Sequence, residues 1–525
     1  METSQAYLEV AKARSPWRPM LATTGTAVGC GLVLAAAFPP LGYWFLAPLA
    51  IAGLFSRLHH TPSVRLRLAA AWAGGFTFFF MLMWWMRYFG VLPWVLLAAL
   101  EGASLPLVVL VVLAAGPRPG WPRALAVGAA WVGLEWLRAQ GSYGFAWGQL
   151  GVAMAAAPAL AQGAAWLGSY GLSCALVVTG ALLAEWGYLP ARSWARQVGV
   201  ALAALAVLAA GSWWQYGAVI RGEAAARSEA QGMTVALVQG SLQQMLRAGE
   251  LDRTTVDESE QGLQTYEALT RRALDESPYL VVWPESATLH FAEEEPEVRE
   301  RLGALAREGG CWLLAGGPAS QGPDLRNSAL LFGPDGAYAG RYDKVHLVPF
   351  GEFVPGRGKL PLVDRYPVRG EDITPGPGHS LLDAGGIRLG VLICFESIFP
   401  EISRSYAGQG ADLLVMITND AWFGRSAALR QHAQMAVLRA IESGRWVARA
   451  AYAGISQVID PAGRVVGELG PGRRAVLARD VYPSSPTTAY GQVGYLFAPL
   501  CLAVALGWAL VGAVGRRMLA GGPAG

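Results

Sequence analysis

The stretch Ile387–Glu396 reads IRLGVLICFE, and its last three residues put a thiol and a carboxylate at the end of an apolar run. The apolar run IRLGVLI reads as a strand. Residues near 398–407 then predict a helix. Cys394 therefore stands at a strand-to-helix junction, where its side chain is presented at the strand tip and a helix N-terminus favours the thiolate. A cysteine that closes a buried strand is, by itself, more often a packing residue. Its partners in the sequence reverse that reading.

Outward from Cys394, short β-rich runs appear at 233–239, 279–283, 311–315, 328–332 and 412–418. They alternate with amphipathic helical stretches near 254–274, 295–307 and 427–443. Strands alternating with helices predict a layered α/β domain. Residues 351–380, rich in Gly and Pro and without clear periodicity, read as a long functional loop or lid.

Two further clusters lie at the ends of such runs: WPES (Trp283–Ser286) and YDKVHLVPFGEF (Tyr342–Phe353). Glu285 is either a loop or helix-capping carboxylate or a general base that takes the thiol proton. Lys344 alone would be a surface lysine. Beside a cysteine it would stabilise the thiolate and, with backbone N–H groups, the oxyanion of a tetrahedral intermediate. Of the 41 basic residues only Lys12, Lys344 and Lys359 are lysine, so a compact ammonium at a motif centre stands out from a background of arginine. Glu352 and Glu396 either orient Lys344 and Glu285 or belong to the supporting structure. Thiol, carboxylate and ammonium together are the equipment for making and breaking a thioester.

The rest of the chain is lipid-like. Mean hydropathy is positive and only 15% of residues are charged, which predicts extensive contact with a bilayer. Apolar windows lie at about 20–38, 41–56, 68–86, 91–115, 124–137, 159–185, 197–219 and 491–515. Several approach the roughly 20 residues that cross a ~30 Å hydrocarbon layer. The windows at 41–56 and 124–137 are short enough to be re-entrant or interfacial. Basic residues gather in alternate connections, all on one side: Lys12, Arg14 and Arg18, then Arg57, Arg65 and Arg67, then Arg118 and Arg123, then Arg192 and Arg196, then Arg516 and Arg517, while the short loops of the other side receive only Arg87 and Arg138. That pattern fits about eight spans with both termini cytoplasmic and the α/β domain outside. Trp84–Trp85 and Trp213–Trp214 are expected as interface anchors. The first window also reads as a signal peptide, but the spans that follow favour an uncleaved anchor. Glu101 and Glu135 lie within membrane windows, where they either line a lipid route or sit near an interface without a role.

The organisation expected is thus a membrane domain over 1–225 with seven spans, an extracytoplasmic catalytic domain over 226–485, and a last span with a cytoplasmic tail over 486–525. A net charge of +3 excludes no class by itself but offers nothing to nucleic acid. Five cysteines without a disulfide framework and six scattered histidines predict neither a metal site nor a cofactor.

WPE, DKVHLVPFGE, CFE and TNDAWFG (Thr418–Gly424) occur in the order of the nitrilase superfamily, and the PFGE form with flanking spans resembles the apolipoprotein N-acyltransferases within it. The nitrilase-like match covers about 232–483, and the spans extend the likeness to nearly the whole chain. The resemblance implies an αββα sandwich whose Glu–Lys–Cys triad maps onto Glu285, Lys344 and Cys394. It implies a multi-pass protein of the cell inner membrane with the catalytic domain in the periplasm. Cys394 would take the sn-1 acyl chain of a phospholipid, usually phosphatidylethanolamine, and pass it from the thioester to the α-amine of a lipoprotein's diacylglyceryl-cysteine. Phe395, Trp422 and Phe423, with Phe350, Phe353, Leu360 and Leu362 of the lid, either meet lipid and acyl chain or are core.

The chain departs from that family in two places. Where the family often shows N-I-P-Q…K-W, it has Ser241-Leu242-Gln243-Gln244 and then Arg247-Ala248, and Ala451-Tyr452-Ala453-Gly454 replaces T-N-T-G. The alternative activity is a membrane-anchored amidase that hydrolyses a small amide. A transporter with a regulatory soluble domain is a third, supported only by Glu101 and Glu135.

Overall fold

The computed structural model describes residues 17–229, 232–242, 256–358, 372–484 and 486–520. Lys12, Arg14, Ala248, Leu360 and Leu362, all named above, lie outside these residues. Contacts divide the chain into two compact units, Met1–Leu137 with Ser173–Leu205 and Ala498–Gly525, and Arg138–Leu172 with Ala206–Phe497.

The first unit is helical. Its elements are α1 (Trp17–Ala36), α2 (Ala47–His59), α3 (Val64–Leu82), α4 (Val91–Gly102), α5 (Ser104–Ala115), α6 (Trp121–Arg138), α7 (Ala164–Leu183) and α8 (Ala191–Glu229), the last three running on across the unit boundaries. Each of the eight expected apolar windows folds as helix. Five segments have the length and apolar character to cross a membrane: Pro19–Ala36, Val91–Ala115, Ala161–Leu183, Ala191–Ser228 and Gly494–Arg516. The window at 41–56 gives a shorter apolar helix, and α3 and α6 fall below the same measure. Helix α1 packs on α3 almost backbone to backbone: a Cβ on Gly31 would stand 2.4 Å from the carbonyl oxygen of Gly74. Small residues permit that approach where apolar side chains gain nothing over lipid. Glu101 lies in the last turn of α4 and is buried, and Glu135 is buried in α6 with Oε1 accepting from Trp131 Nε1 at 2.9 Å. Of the expected anchors, Trp84, Trp213 and Trp214 are exposed, but Trp85 is buried.

The second unit carries two six-stranded sheets. In chain order its elements are β1 (Met233–Gln239), α9 (Val256–Ala273), β2 (Leu280–Val282), α10 (Pro296–Gly309), β3 (Trp312–Gln321), β4 (Asp324–Phe332), β5 (Tyr338–Asp343), β6 (Leu382–Ala384) and β7 (Ile387–Ile393). Then follow α11 (Pro400–Gly408), β8 (Leu413–Thr418), α12 (Ala428–Ser443), β9 (Trp446–Ala451), β10 (Ser456–Ile459), β11 (Val465–Leu469) and β12 (Ala475–Val481); the last helix, α13 (Phe497–Ala520), returns to the first unit from Ala498 on. One sheet has the order β12-β1-β2-β3-β4-β5, the other β11-β10-β9-β8-β7-β6. Both repeat one pattern of pairing, with two parallel ladders at the centre (β1–β2–β3 and β7–β8–β9) flanked by antiparallel ones.

Helices α9 and α10 cover the first sheet and α11 and α12 the second, while β1 meets β9 and β4 meets β7 between the sheets. That is the expected αββα sandwich. Central strands buried on both faces read as continuous apolar runs, which is why MTVALVQ and IRLGVLI are strands over the residues expected. Gly390 lets α11 lie flat on β7, because a Cβ there would come 2.8 Å from Tyr406 Cβ. Tyr452, a departure from the family pattern, is buried in the core with its ring centroid 6.1 Å from that of Tyr266.

Candidate active site

Four strand ends build the site. Cys394 follows β7, Glu285 follows β2 by way of Trp283 and Pro284, Lys344 directly follows β5, and Thr418-Asn419-Asp420 follow from β8. Parallel central strands leave their C-terminal ends side by side, so groups distant in sequence converge there.

Lys344 is 1% exposed, with Nζ 2.9 Å from Glu352 Oε1 and 3.4 Å from Glu285 Oε1. Asn327, in β4, donates through Nδ2 to both carboxylates, at 2.8 Å to Glu285 and 3.0 Å to Glu352. The backbone N–H of Asn419 donates to the other oxygen of Glu285 at 2.7 Å, and that of Val348 to Glu352 Oε2 at 2.8 Å. Burial works against the Lys344 charge, but the Glu352 and Glu285 carboxylates and the Cys394 sulfur outweigh it and hold its pKa above the ordinary lysine value. Lys344 is thus an ammonium clamped between two carboxylates.

Cys394 has φ of 50°, the left-handed region that side-chain-bearing residues rarely occupy. It opens a five-residue 3₁₀ turn, Cys394–Ile398, and not the α-helix itself. Burial first and the Glu285 charge second push its thiol well above the ordinary value, against the pull of Lys344 and a hydrogen bond with Thr418. The expectation of a resting thiolate favoured by a helix N-terminus is therefore corrected. Helix α11 begins six residues later, at Pro400, and the half-buried thiol keeps its proton beside a carboxylate. Glu285, Lys344 and Cys394 do come together in one electrostatic set.

Glu396 is fully buried and braces the turn. Its Oε2 accepts from Ile393 N at 2.8 Å, and its Oε1 from Tyr342 Oη at 2.7 Å, Val345 N at 2.8 Å and His346 N at 3.1 Å. One carboxylate thus ties the cysteine turn to the segment carrying Lys344. Burial raises its pKa against these four hydrogen bonds. Phe395 is buried against Phe399, His346 and Phe145, with ring centroids 5.2, 5.6 and 6.1 Å away. Phe423 is buried against Trp147 and His432, and Trp422 is half-buried.

Sequence reasoning did not find Asn327, Asp420, His432, Arg449 or the aromatic residues Tyr143, Phe145 and Trp147. The last three sit in 138–172, read above as membrane domain but part of the sheet-bearing compact unit, where Tyr143 stacks on Phe353 at 6.3 Å. Polar residues inside buried strands, Asn327 in RNSALLF and Arg449 in WVARAA, were the available signal.

Residues 234–488 match the carbon-nitrogen hydrolase family model, and residues 30–182 that of the apolipoprotein N-acyltransferase N-terminal domain. The chain is 35% identical to an apolipoprotein N-acyltransferase of Geobacter metallireducens over 94% of its own length and 95% of the relative's. It is 34% identical to that of Azotobacter vinelandii over 92% and 94%. Among solved structures, an amidase from Nesterenkonia sp. aligns with 52% of this chain and 98% of its own at 24% identity and a TM-score of 0.39. Carrying both family regions and relatives of that identity along nearly its full length, this chain belongs to the apolipoprotein N-acyltransferase family.

Proposed function

We propose that this chain transfers an acyl chain from a membrane phospholipid, through a thioester on Cys394, to the N-terminal amine of the diacylglyceryl-cysteine of apolipoproteins. The observation that carries this reading is Cys394 at a strand tip within the electrostatic reach of Glu285 and of an ammonium held by two carboxylates, on a chain whose family acts on lipoproteins.

In the first half-reaction, Glu285 takes the Sγ proton as sulfur attacks the sn-1 ester carbonyl carbon. The Lys344 ammonium faces the negative charge that develops on the carbonyl oxygen. Collapse breaks the bond to the glycerol oxygen, which receives the proton from Glu285, and a lysophospholipid leaves. In the second half-reaction the lipoprotein amine attacks the thioester carbon and Glu285 takes one of its protons. The C–S bond breaks, and the thiol recovers its proton as the amide departs. A thiol kept neutral at rest suits this cycle, because a free thiolate would be exposed to side reactions. Glu352 holds Lys344, Glu396 holds the turn, and Phe395, Trp422 and Phe423 serve the acyl substrates. Phosphatidylethanolamine is the donor we expect. The apolar helices keep the chain in the cell inner membrane, with 226–485 in the periplasm, 1–225 and 486–525 anchoring it, and both termini cytoplasmic. Two substrates confined to a bilayer account for such an anchor, which hydrolysis of a small amide would not require.

Purified protein incubated with phosphatidylethanolamine alone should gain the mass of one acyl chain on Cys394, removable by hydroxylamine. A diacylated lipopeptide should then discharge it as the triacylated product. Cys394→Ala should do neither. Transfer surviving in Cys394→Ala, or discharge to water at the same rate with and without lipopeptide, would overturn this reading.

A further inference from the structure

Beneath the cysteine turn lies a buried polar set that the reaction above does not use. Ser397 Oγ donates to the Cys394 carbonyl oxygen at 2.7 Å. That spends its hydrogen, so Oγ can only accept from His432 Nε2, 2.8 Å away. His432 Nε2 therefore carries a hydrogen, and the same nitrogen lies 3.3 Å from the Cys394 carbonyl oxygen. The other ring nitrogen is 3.0 Å from Asp420 Oδ1 and 3.1 Å from Arg449 Nη2.

Asp420 accepts in turn from Arg449 Nη2 at 2.8 Å through Oδ2 and from Thr418 Oγ1 at 2.8 Å through Oδ1. Burial opposes the Asp420 charge, but Arg449 and His432 hold its pKa below the usual carboxylate range. Every member is buried: His432, Asp420, Arg449, Thr418 and Ser397 are each no more than 2% exposed. Trp147 and Phe423 close over the imidazole, each with its ring centroid 5.8 Å away.

We propose that His432 is a positioning residue for Cys394: its Nε2–H, directly and through Ser397, holds the cysteine carbonyl so that the backbone stays left-handed and the sulfur stays aimed at the acyl carbonyl. The inference rests on Cys394 being the nucleophile. A left-handed cysteine is not a conformation its own side chain favours, and it persists only where the surroundings over-determine it. Three elements do so here. Helix α12 supplies His432, the turn after β8 supplies Asp420, and β9 supplies Arg449, so the imidazole is fixed by three separate segments. None of these groups exchanges a proton with substrate. Their effect belongs to the placement of sulfur and so to the acylation step.

The test compares wild type, His432→Leu, His432→Gln and Cys394→Ala in detergent, with phosphatidylethanolamine and then a diacylated lipopeptide. Thermal unfolding of each variant is measured in parallel. His432→Leu is expected to form acyl-enzyme on the order of 10²-fold more slowly, the loss that misplacing a reacting atom by about 1 Å brings, with the phospholipid KM little changed. Iodoacetamide should alkylate its Cys394 at an altered rate. His432→Gln, which keeps an N–H donor, should recover most of the acylation rate. If His432→Leu does not fold, Ser397→Ala breaks one of the two links and should slow acylation several-fold. Wild-type acylation in a folded His432→Leu, or losses in both variants that merely follow their melting temperatures, would overturn the role of His432. Transfer that survives in Cys394→Ala would instead overturn the nucleophile beneath it.

Discussion

Lys344 and Cys394 differ in how burial treats them. Lys344 is shut away from water yet keeps its charge, since two carboxylates lie at 2.9 and 3.4 Å. Cys394 has the opposite outcome: desolvation and the Glu285 charge together outweigh the ammonium and keep the thiol protonated. Removing the negative charge at Glu285 takes away one of the two contributions that raise the thiol pKa and leaves Lys344 in place. The sign is therefore fixed: in Glu285→Gln the thiol pKa falls, and a larger thiolate fraction is present at any pH below it. At about pH 8, iodoacetamide should alkylate Cys394 several-fold faster in Glu285→Gln than in wild type. Acyl transfer should fall by roughly 10²- to 10⁴-fold, because the proton acceptor is gone. The pH profile of alkylation read by intact-mass spectrometry checks the first outcome, and normal turnover would show that another carboxylate is the base. Glu285 and Cys394 were legible in sequence, since each follows an apolar run, and Lys344 through the motif around it. Asn327, which bridges both carboxylates, was not: one Asn inside a strand carries no local mark of what stands across the sheet.

At the scale of elements, strand β3 determines where the base can sit. A Cβ on Gly316 would lie 2.3 Å from the Pro284 carbonyl oxygen and 2.8 Å from Glu285 Cα, both backbone atoms without a flexible end to move aside. Gly316→Ala should therefore push the Glu285 segment away from Lys344. We expect a loss of about 1–3 kcal/mol of stability from overpacking, with acyl-enzyme formation reduced beyond what that loss explains. Denaturation and acylation rates measured on the same preparation separate the two, and unchanged acylation would mean the segment has room to shift. Strands buried on both faces were readable from their apolar runs, as with β1, β7 and β8. The strands β9–β12 were not, because Arg449 interrupts one and alternating polar residues mark the edge strands.

On the scale of the whole molecule, residues 138–172 join the sheet-bearing unit through charges buried far from solvent. Glu442, in α12, accepts from Ser169 N at 2.8 Å across 273 positions of sequence, and from Arg439 Nη2 at 3.0 Å. Arg439 Nε lies 2.7 Å from Glu442 Oε2 as an ion pair off the hydrogen-bond angle, and Nη1 donates to the Ile398 carbonyl at 3.0 Å. The backbone breaks from helix at Gly168, with φ of 70°, where a Cβ would come 2.5 Å from the Tyr490 ring. Glu442→Leu leaves the Arg439 guanidinium buried without its partner and should cost about 3–5 kcal/mol. Joining it with Arg439→Met should recover most of that loss, since two apolar groups need no counter-charge. Thermal unfolding of the two variants in detergent provides the check. A double variant no more stable than Glu442→Leu would mean that the pair matters for more than mutual neutralisation.

Taken alone, the sequence determined that the chain joins apolar helices to a layered α/β domain, and that Glu285 and Cys394 stand at the ends of apolar runs with Lys344 inside the DKVHLVPFGE stretch. Hydrophobic periodicity and motif order are local properties, written in neighbouring residues. Only the tertiary structure decided that Asn327 would bridge two carboxylates, that the thiol would keep its proton, and that Asp420, His432 and Arg449 would meet under Cys394. Those outcomes depend on which strand ends converge and how much water is excluded between them, and packing sets both.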